Sequence, residues 1–251
     1  MRMPRPGPEG WATQVGQTSS PRMRYGFAPT KASLRTAALP EWEDQSGNGN
    51  TARGVGGLGQ PQLKKEPGLG GLDVLDFRAG GPGNEKDLRD LLEVNDMTAT
   101  QLDDTDELTV VSVVYPDEGT FDGNPRGVFS KRTDFNDSDA YNGFFYTGKK
   151  FYFDVNGSSN RDEAPDGDES LSADTGYLIQ NRYDNTKSQI FINGNLSSSS
   201  GPFTTLIGDE TSNLRLGLLK TEGPVDGPDN EDRFFDGRIG EFIIYRTALN
   251  T

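Results

Sequence analysis

The sequence predicts an all-β fold, a two-sheet antiparallel jelly-roll sandwich with an extended N-terminal arm and one short helix. Three observations predict it. Only 31% of the 251 residues are hydrophobic, while Gly (32) and Pro (15) are plentiful. That balance suits short strands joined by many turns better than packed helices. From Leu108 onward, runs rich in β-branched and aromatic residues alternate with Gly, Asn, Asp and Ser clusters, the spacing of a sandwich or jelly roll. The third observation is the last run, RFFDGRIGEFIIYRTALNT. Termini fray unless something ties them down, so a final run this apolar belongs inside a sheet whose other strands lie earlier.

Taken in order, residues 1–38 read as an extended basic arm and residues 39–251 as the sandwich domain. The arm holds six Lys/Arg against one acid, a net +5, which leaves −19 for the remainder of a chain whose total is −14. It is rich in Pro and Gly and shows no period of 2 or 3.6, so alone it is extended. Arg2, Arg5, Arg22 and Arg24, with Trp11, Tyr25 and Phe27, form its candidate partner-binding set. Two Gly-rich loops follow, with DVLDF between them as a short strand. NEKDLRDLLEVND places Leu88, Leu91 and Leu92 on one helical face behind Asn84 as N-cap, predicting the helix.

The strands come next. LTVVSVVY (108–115) is apolar on both faces, as in a strand covered on both sides. GVFSK, GFFYTG, KKFYFDV, GYLIQNRY, SQIFI, NLRLGLL and RIGEFIIY complete the set, and Asn193-Gly194 after SQIFI signals a type I′ hairpin. In RIGEFIIY, strict alternation puts Ile239, Ile243 and Tyr245 on one face and Phe242 and Ile244 on the other. An outer face this apolar calls for a roof, and the N-terminal arm is a candidate for it.

Composition also bounds function. The acidic total opposes nucleic-acid binding. Cys and His are both absent, which removes disulfides, thiolate metal sites and the commonest general base. No apolar run reaches membrane-spanning length, so no membrane partner is expected, and the Pro-broken start is not a secretory signal.

Several pieces, in order, resemble the laminin-G-like domains of the concanavalin-A-like lectin/glucanase superfamily. They are ALPEWEDQSGNGNTARGVGG, GLDVLDFRAGG, TVVSVVYPDEG with GVFSKR, SQIFINGNL, and FFDGRIGEFIIYRTAL, together covering about residues 37–250. The resemblance implies two curved antiparallel sheets with first and last strands close together. It leaves open whether such a domain is a lectin, a glycan-active enzyme or a structural protein of a phage.

Candidate chemistry is sparse. Glycoside hydrolysis needs two carboxylates beside one cleft, and the glucanase pattern Glu-x-Asp-x-x-Glu has no counterpart. Glu41-Trp42-Glu43-Asp44 comes nearest, beside the SGNGN loop, and no enzyme activity is expected. RDEAPDGDES reads first as a solvated acidic loop. The alternative is a Ca²⁺ site with Asp162, Asp166 and Asp168 as ligands, and no other cofactor is expected. About half of Phe144, Phe145, Tyr146, Phe151, Tyr152 and Phe153 belong in the core, with Tyr146 or Tyr152 left to face a glycan groove.

Without export signal or Cys, and with a basic arm on an acidic body, the sequence points to a virion structural protein. The expectation is a phage capsid decoration or cement protein, assembled in the host cytoplasm in many copies. Its arm would dock on the major capsid protein or other virion subunits. The alternative is a carbohydrate-binding lectin or adhesin, in a tail or baseplate, that recognises host surface glycans.

Overall fold

Apolar alternation at period 2 builds most of this molecule. The computed structural model describes residues 41–80, 88–94, 105–134, 140–155, 161–166, 169–202, 204, 207 and 212–250, with the backbone of 22–25 and 160. Strand β7 (Leu108–Pro116) shows the principle: Leu108, Val110 and Val114 are fully buried, while Val111, Val113 and Tyr115 between them are half-buried. One face of this strand meets the core and the other is partly covered.

The strands form two sheets of eight. The first runs β14 (Asn195–Ser200), β13 (Ser188–Ile192), β12 (Tyr177–Tyr183), β7, β16 (Gly237–Tyr245), β5 (Leu72–Phe77), β4 (Gln62–Glu66). In addition, β1 (Arg22–Tyr25) pairs with β16. The second runs β11 (Asn160–Ala164), β10 (Lys150–Val155), β9 (Tyr141–Tyr146), β8 (Arg126–Lys131), β15 (Leu214–Leu216), β6 (Leu92–Val94), β3 (Ala52–Gly54), β2 (Glu41–Trp42). Between them lies a core that includes Trp42, Leu75, Phe77, Val110, Phe129, Phe145, Phe151, Phe153, Ile179, Ile190, Phe242 and Ile244.

The closing strand sits where the sequence placed it, deep in a sheet. β16 pairs with β7 along one side, and with β5 (Gly237–Ile239) and then β1 (Phe242–Tyr245) along the other. Its faces differ from strict alternation. A bulge between Ile239 and Glu241 leaves Gly240 without a partner, and the slip of one residue puts Ile239 in the core beside Phe242 and Ile244.

Two further readings are corrected. The helix expected over 84–96 is not formed over its described residues 88–94: Arg89 and Asp90 make isolated bridges, and Leu92–Val94 is a strand between β15 and β3. Burial decides it. Leu91, Leu92 and Val94 are all fully buried, which strand pairing against Leu216 and Leu214 achieves. Only 3₁₀ turns occur as helical structure among the described residues, and Asn84 lies outside them. RDEAPDGDES is likewise not all loop, because Asn160–Ala164 pairs as edge strand β11 with β10. The hairpin at Asn193-Gly194 is formed, with both residues at positive φ (52° and 82°).

Within the basic segment, Arg22–Tyr25 lies antiparallel to β16, with Arg22 opposite Tyr245 and Tyr25 opposite Phe242. Arg2, Arg5, Trp11 and Phe27 lie outside the described residues.

Candidate functional site

Strand registers bring one polar residue from every strand of the second sheet into a single transverse row on its outer face. In order the row reads Glu41, Arg53, Glu93, Arg215, Ser130, Asn142, Asp154, Arg161. Opposite charges meet across neighbouring strands: Arg53 with Glu41 at 3.4 Å, Arg215 Nε with Glu93 at 2.8 Å. Arg161 grips Asp154 with two N–H donors at 2.6 and 2.8 Å. Burial holds the Asp154 carboxyl above its usual range, and the Arg161 guanidinium opposes that shift without cancelling it.

The middle of the row is roofed. After β15 the chain bends at Gly217 (φ 91°) and crosses over β8. The Ser130 hydroxyl donates to the Leu218 carbonyl (2.8 Å) and accepts from the Lys220 N–H (3.2 Å). Gly127 makes room for this strap, since a Cβ there would lie 2.0 Å from the Leu219 nitrogen. Lys220 Nζ donates to the Thr133 and Thr221 carbonyls. Burial, then Arg215 and Arg132, lower its pKa to about 8. Beyond the strap, Thr221, Glu222, Asp229, Asp232 and Arg233 line a shallow cleft of about 380 Å³.

Beside the strap lies an aromatic block. Phe144 and Tyr152 stack with centroids 5.4 Å apart and planes at 15°, and Tyr146 meets Tyr152 edge-on at 5.8 Å. Arg161 lies over both stacked rings, 5.3 and 5.8 Å from their centroids, and Leu219 closes the cluster. Lys150 donates to Glu163 at 2.7 Å, and that hydrogen bond holds the Glu163 carboxyl below its usual range. Phe144 and Tyr152 are buried, whereas Tyr146, Lys150, Arg161 and Glu163 keep part of their surface in solvent.

The expected halving of the aromatic run is observed. Phe145, Phe151 and Phe153 enter the main core, while Phe144, Tyr146 and Tyr152 form the outer block. The two described acidic candidates, Asp162 and Asp166, are not gathered into a metal site. Asp162 faces the interior, where it accepts from the hydroxyls of Ser188 and Ser198, and burial raises its carboxyl. Asp166 is exposed beyond the end of β11, and Asp168 lies outside the described residues. No group of three or more acidic side chains able to hold a metal ion occurs among the described residues. Asp44 serves its own loop, accepting from the N–H groups of Ser46 (2.7 Å) and Asn50 (3.0 Å).

Arg161, Asn142 and the Leu218–Thr221 strap escaped the sequence. Alternation along GFFY and KKFYFDV marks Tyr146, Tyr152 and Asp154 as neighbours on one face. The partner Arg161 depends on a strand hidden in an acidic stretch.

Two eight-stranded antiparallel sheets around one core, with polar and aromatic side chains ranged across an outer face, define a lectin-type jelly roll. Residues 92–251 match the family profile described as concanavalin A-like lectin/glucanases superfamily, and the chain belongs to that family. No curated protein matches it. Among solved structures it is similar to domain 4 of AbnA, an extracellular arabinanase from Geobacillus stearothermophilus, in complex with arabinotriose. Identity there is 15%, coverage 83% of this chain and 88% of that one, and the TM-score 0.56. The binding domain of botulinum neurotoxin DC, in complex with rat synaptotagmin II, is 13% identical with a TM-score of 0.57, over 83% of this chain and 46% of that one. Trypanosoma rangeli sialidase in complex with sialic acid is 14% identical with a TM-score of 0.54, over 91% of this chain and 31% of that one. The chain thus spans less than half of the neurotoxin domain chain and less than a third of the sialidase. Likeness at these identities establishes the shared fold.

Proposed function

We infer that this protein is a non-catalytic recognition module that binds saccharides on the outer face of its second sheet. The observation that carries the reading is the block of Tyr146, Tyr152 and Phe144 flanked by Arg161, Lys150 and Glu163. A pyranose presents apolar C–H groups on one face and hydroxyls around its rim. A part-exposed tyrosine ring suits the first, and charged donors and acceptors beside it suit the second. Both carboxylates of this block are held by cations, Asp154 by Arg161 and Glu163 by Lys150. That arrangement supports binding over hydrolysis, which needs one carboxyl group free to donate a proton and another to attack or activate water. The relatives solved with arabinotriose and sialic acid lend the reading further support at the level of the fold.

Full-length protein on a glycan array should give a reproducible saccharide ligand. Tyr146→Ala and Glu163→Gln should each weaken it about tenfold, the loss of one stacking or charge-assisted contact. Absence of any ligand, or a ligand insensitive to both changes, overturns the reading.

A second reading is favoured by the division of charge, +5 over residues 1–38 against −19 over the rest. It makes the chain a decoration protein of a virus particle, assembled in the host cytoplasm and present in many copies, with residues 1–38 on capsid subunits and the sandwich facing outward. Multiple copies would also turn a weak glycan contact into firm attachment. Copurification with particles that survives deletion of residues 1–38 would count against it.

A further inference from the structure

A small polar pocket lies at the β14 edge of the first sheet, where the turn between β12 and β13 meets the chain leaving β14. Thr186, Lys187, Ser199, Ser200, Gly201 and Pro202 line it and enclose about 210 Å³. Gly201 (φ 140°) permits the close approach, since a Cβ there would lie 2.7 Å from the Thr186 carbonyl oxygen. Hydrogen-bond accounting fixes what the pocket offers. Behind it, where the edges of the two sheets meet, Asp162 accepts from Ser188 through one oxygen and from Ser198 through the other. All three residues are more than nine-tenths buried, which shields these bonds from water. A hydroxyl has one proton to give. That of Ser188 is spent on Asp162, so in the 3.0 Å contact between Ser188 and Ser200 the Ser200 hydroxyl is the donor. The Thr186 hydroxyl likewise donates to Asp184 at 2.5 Å. Both pocket hydroxyls are left with lone pairs only. Lys187 supplies the opposite. Its backbone N–H donates to Asp184 at 3.1 Å, and no described residue engages its ammonium.

We propose that this pocket is a second saccharide site, one that takes the hydroxyl-bearing edge of a neutral sugar. Lys187 needs an acceptor, Thr186 and Ser200 need donors, and a sugar hydroxyl is both at once. Two adjacent hydroxyls of one ring satisfy all three. An oxyanion would answer Lys187 but set its lone pairs against those of Thr186 and Ser200. A metal cation would suit the oxygens and be repelled by the ammonium. The size agrees: the pocket is smaller than the roughly 300 Å³ at which sites for drug-sized ligands begin, and holds the edge of one ring. It shares no residue with the Tyr146 block of the second sheet. One molecule thereby gains two separate points of attachment to a glycan-bearing surface, and linked weak contacts multiply.

Titrating isotope-labelled full-length protein with the methyl pyranosides of glucose, galactose and mannose, followed by amide NMR, tests this. At least one sugar should shift the amide resonances of Thr186, Lys187, Ser199, Ser200 and Gly201 saturably, with a Kd in the millimolar range that so small a contact gives. Sodium sulfate, against sodium chloride of equal ionic strength, should leave them in place. Lys187→Met keeps the stem and removes the ammonium, and should weaken the sugar about tenfold. An otherwise unchanged spectrum shows that this variant is folded. Tyr146→Ala should leave the shifts as they are, so this site and the aromatic one can fail separately. A saturable response to sulfate, or to none of the three sugars, overturns the proposal. So does a sugar response that survives Lys187→Met undiminished or is lost in Tyr146→Ala.

Discussion

Asp154 shows how much a single side chain depends on its partner. Its side chain is 1% exposed, sits on the outer face of β10 and is gripped by two N–H groups of Arg161, whose own side chain is 28% exposed. Removing one member of a buried pair leaves the other charge without compensation. Asp154→Ala should therefore cost about 3 kcal/mol in urea unfolding. Asp73→Ala removes the exposed pair with Lys65 and should cost less than about 1 kcal/mol. Equal effects would mean that the Asp154 pair is solvated. This residue was only partly legible. Period-2 spacing in KKFYFDV aligns Tyr152 and Asp154 on one face, and the sequence states that directly. The arginine opposite is brought in by pairing across an edge strand, and RDEAPDGDES reads as an acidic loop because its composition offers no apolar alternation. Asp162, a candidate ligand by type, instead faces the serines of β13 and β14. Residue type suggested a cation, and strand parity turned the side chain inward.

At the scale of elements, the long strands were legible and the breaks in them were not. β7, β12, β13 and β16 each carry a sustained run of β-branched or aromatic residues, which fixes their existence by local propensity alone. NLRLGLL looks equally continuous, yet only Leu214–Leu216 forms a strand, and Leu218 makes an isolated bridge to Phe234 instead. The cause is close packing: Gly217 adopts φ 91°, and a Cβ there would lie 2.5 Å from the Phe77 ring. The chain after it turns out of the sheet and becomes the strap over β8. Leu92–Val94 failed in the other direction, since three leucines at helical spacing satisfy a strand equally well when a core waits beneath them. The strap depends on a second glycine. Gly127→Ala would drive a methyl group into the Leu219 backbone and should destabilise the fold by about 1–3 kcal/mol, as overpacking does. The Leu219 amide, which donates to the Arg233 carbonyl, should exchange with deuterium faster than in the unaltered chain. Unchanged protection of that amide would show that the strap does not bear on Gly127.

The whole molecule packs its two sheets around one core, and it carries a net charge of −14. Its acids are not uniformly at ease. Burial, in each case the largest cause, raises the pKa of Asp90, Asp117, Asp154, Asp162 and Asp236. An acid whose folded pKa lies above its unfolded value of 3.8 binds a proton more readily in the folded state. Stability from these five groups therefore grows as pH falls through their raised pKa values, and the gain is complete below the unfolded value. Glu163 behaves oppositely, because the hydrogen bond from Lys150 lowers it. In Asp122 and Asp184 burial is outweighed by hydrogen bonds, led by those from Arg126 and Thr186. These three lose stability as pH falls through the ordinary carboxylate range toward their lowered values. Protonation also relieves self-repulsion among the surplus acids. The urea midpoint should accordingly rise as pH is lowered from neutrality toward the unfolded carboxylate value of 3.8, the reverse of a protein held together by exposed carboxylate pairs. Asp162→Asn, which is uncharged throughout and keeps the shape of the side chain, should make that rise smaller. A midpoint that falls on acidification would mean that solvated ion pairs, not buried acids, govern how this sandwich responds to pH.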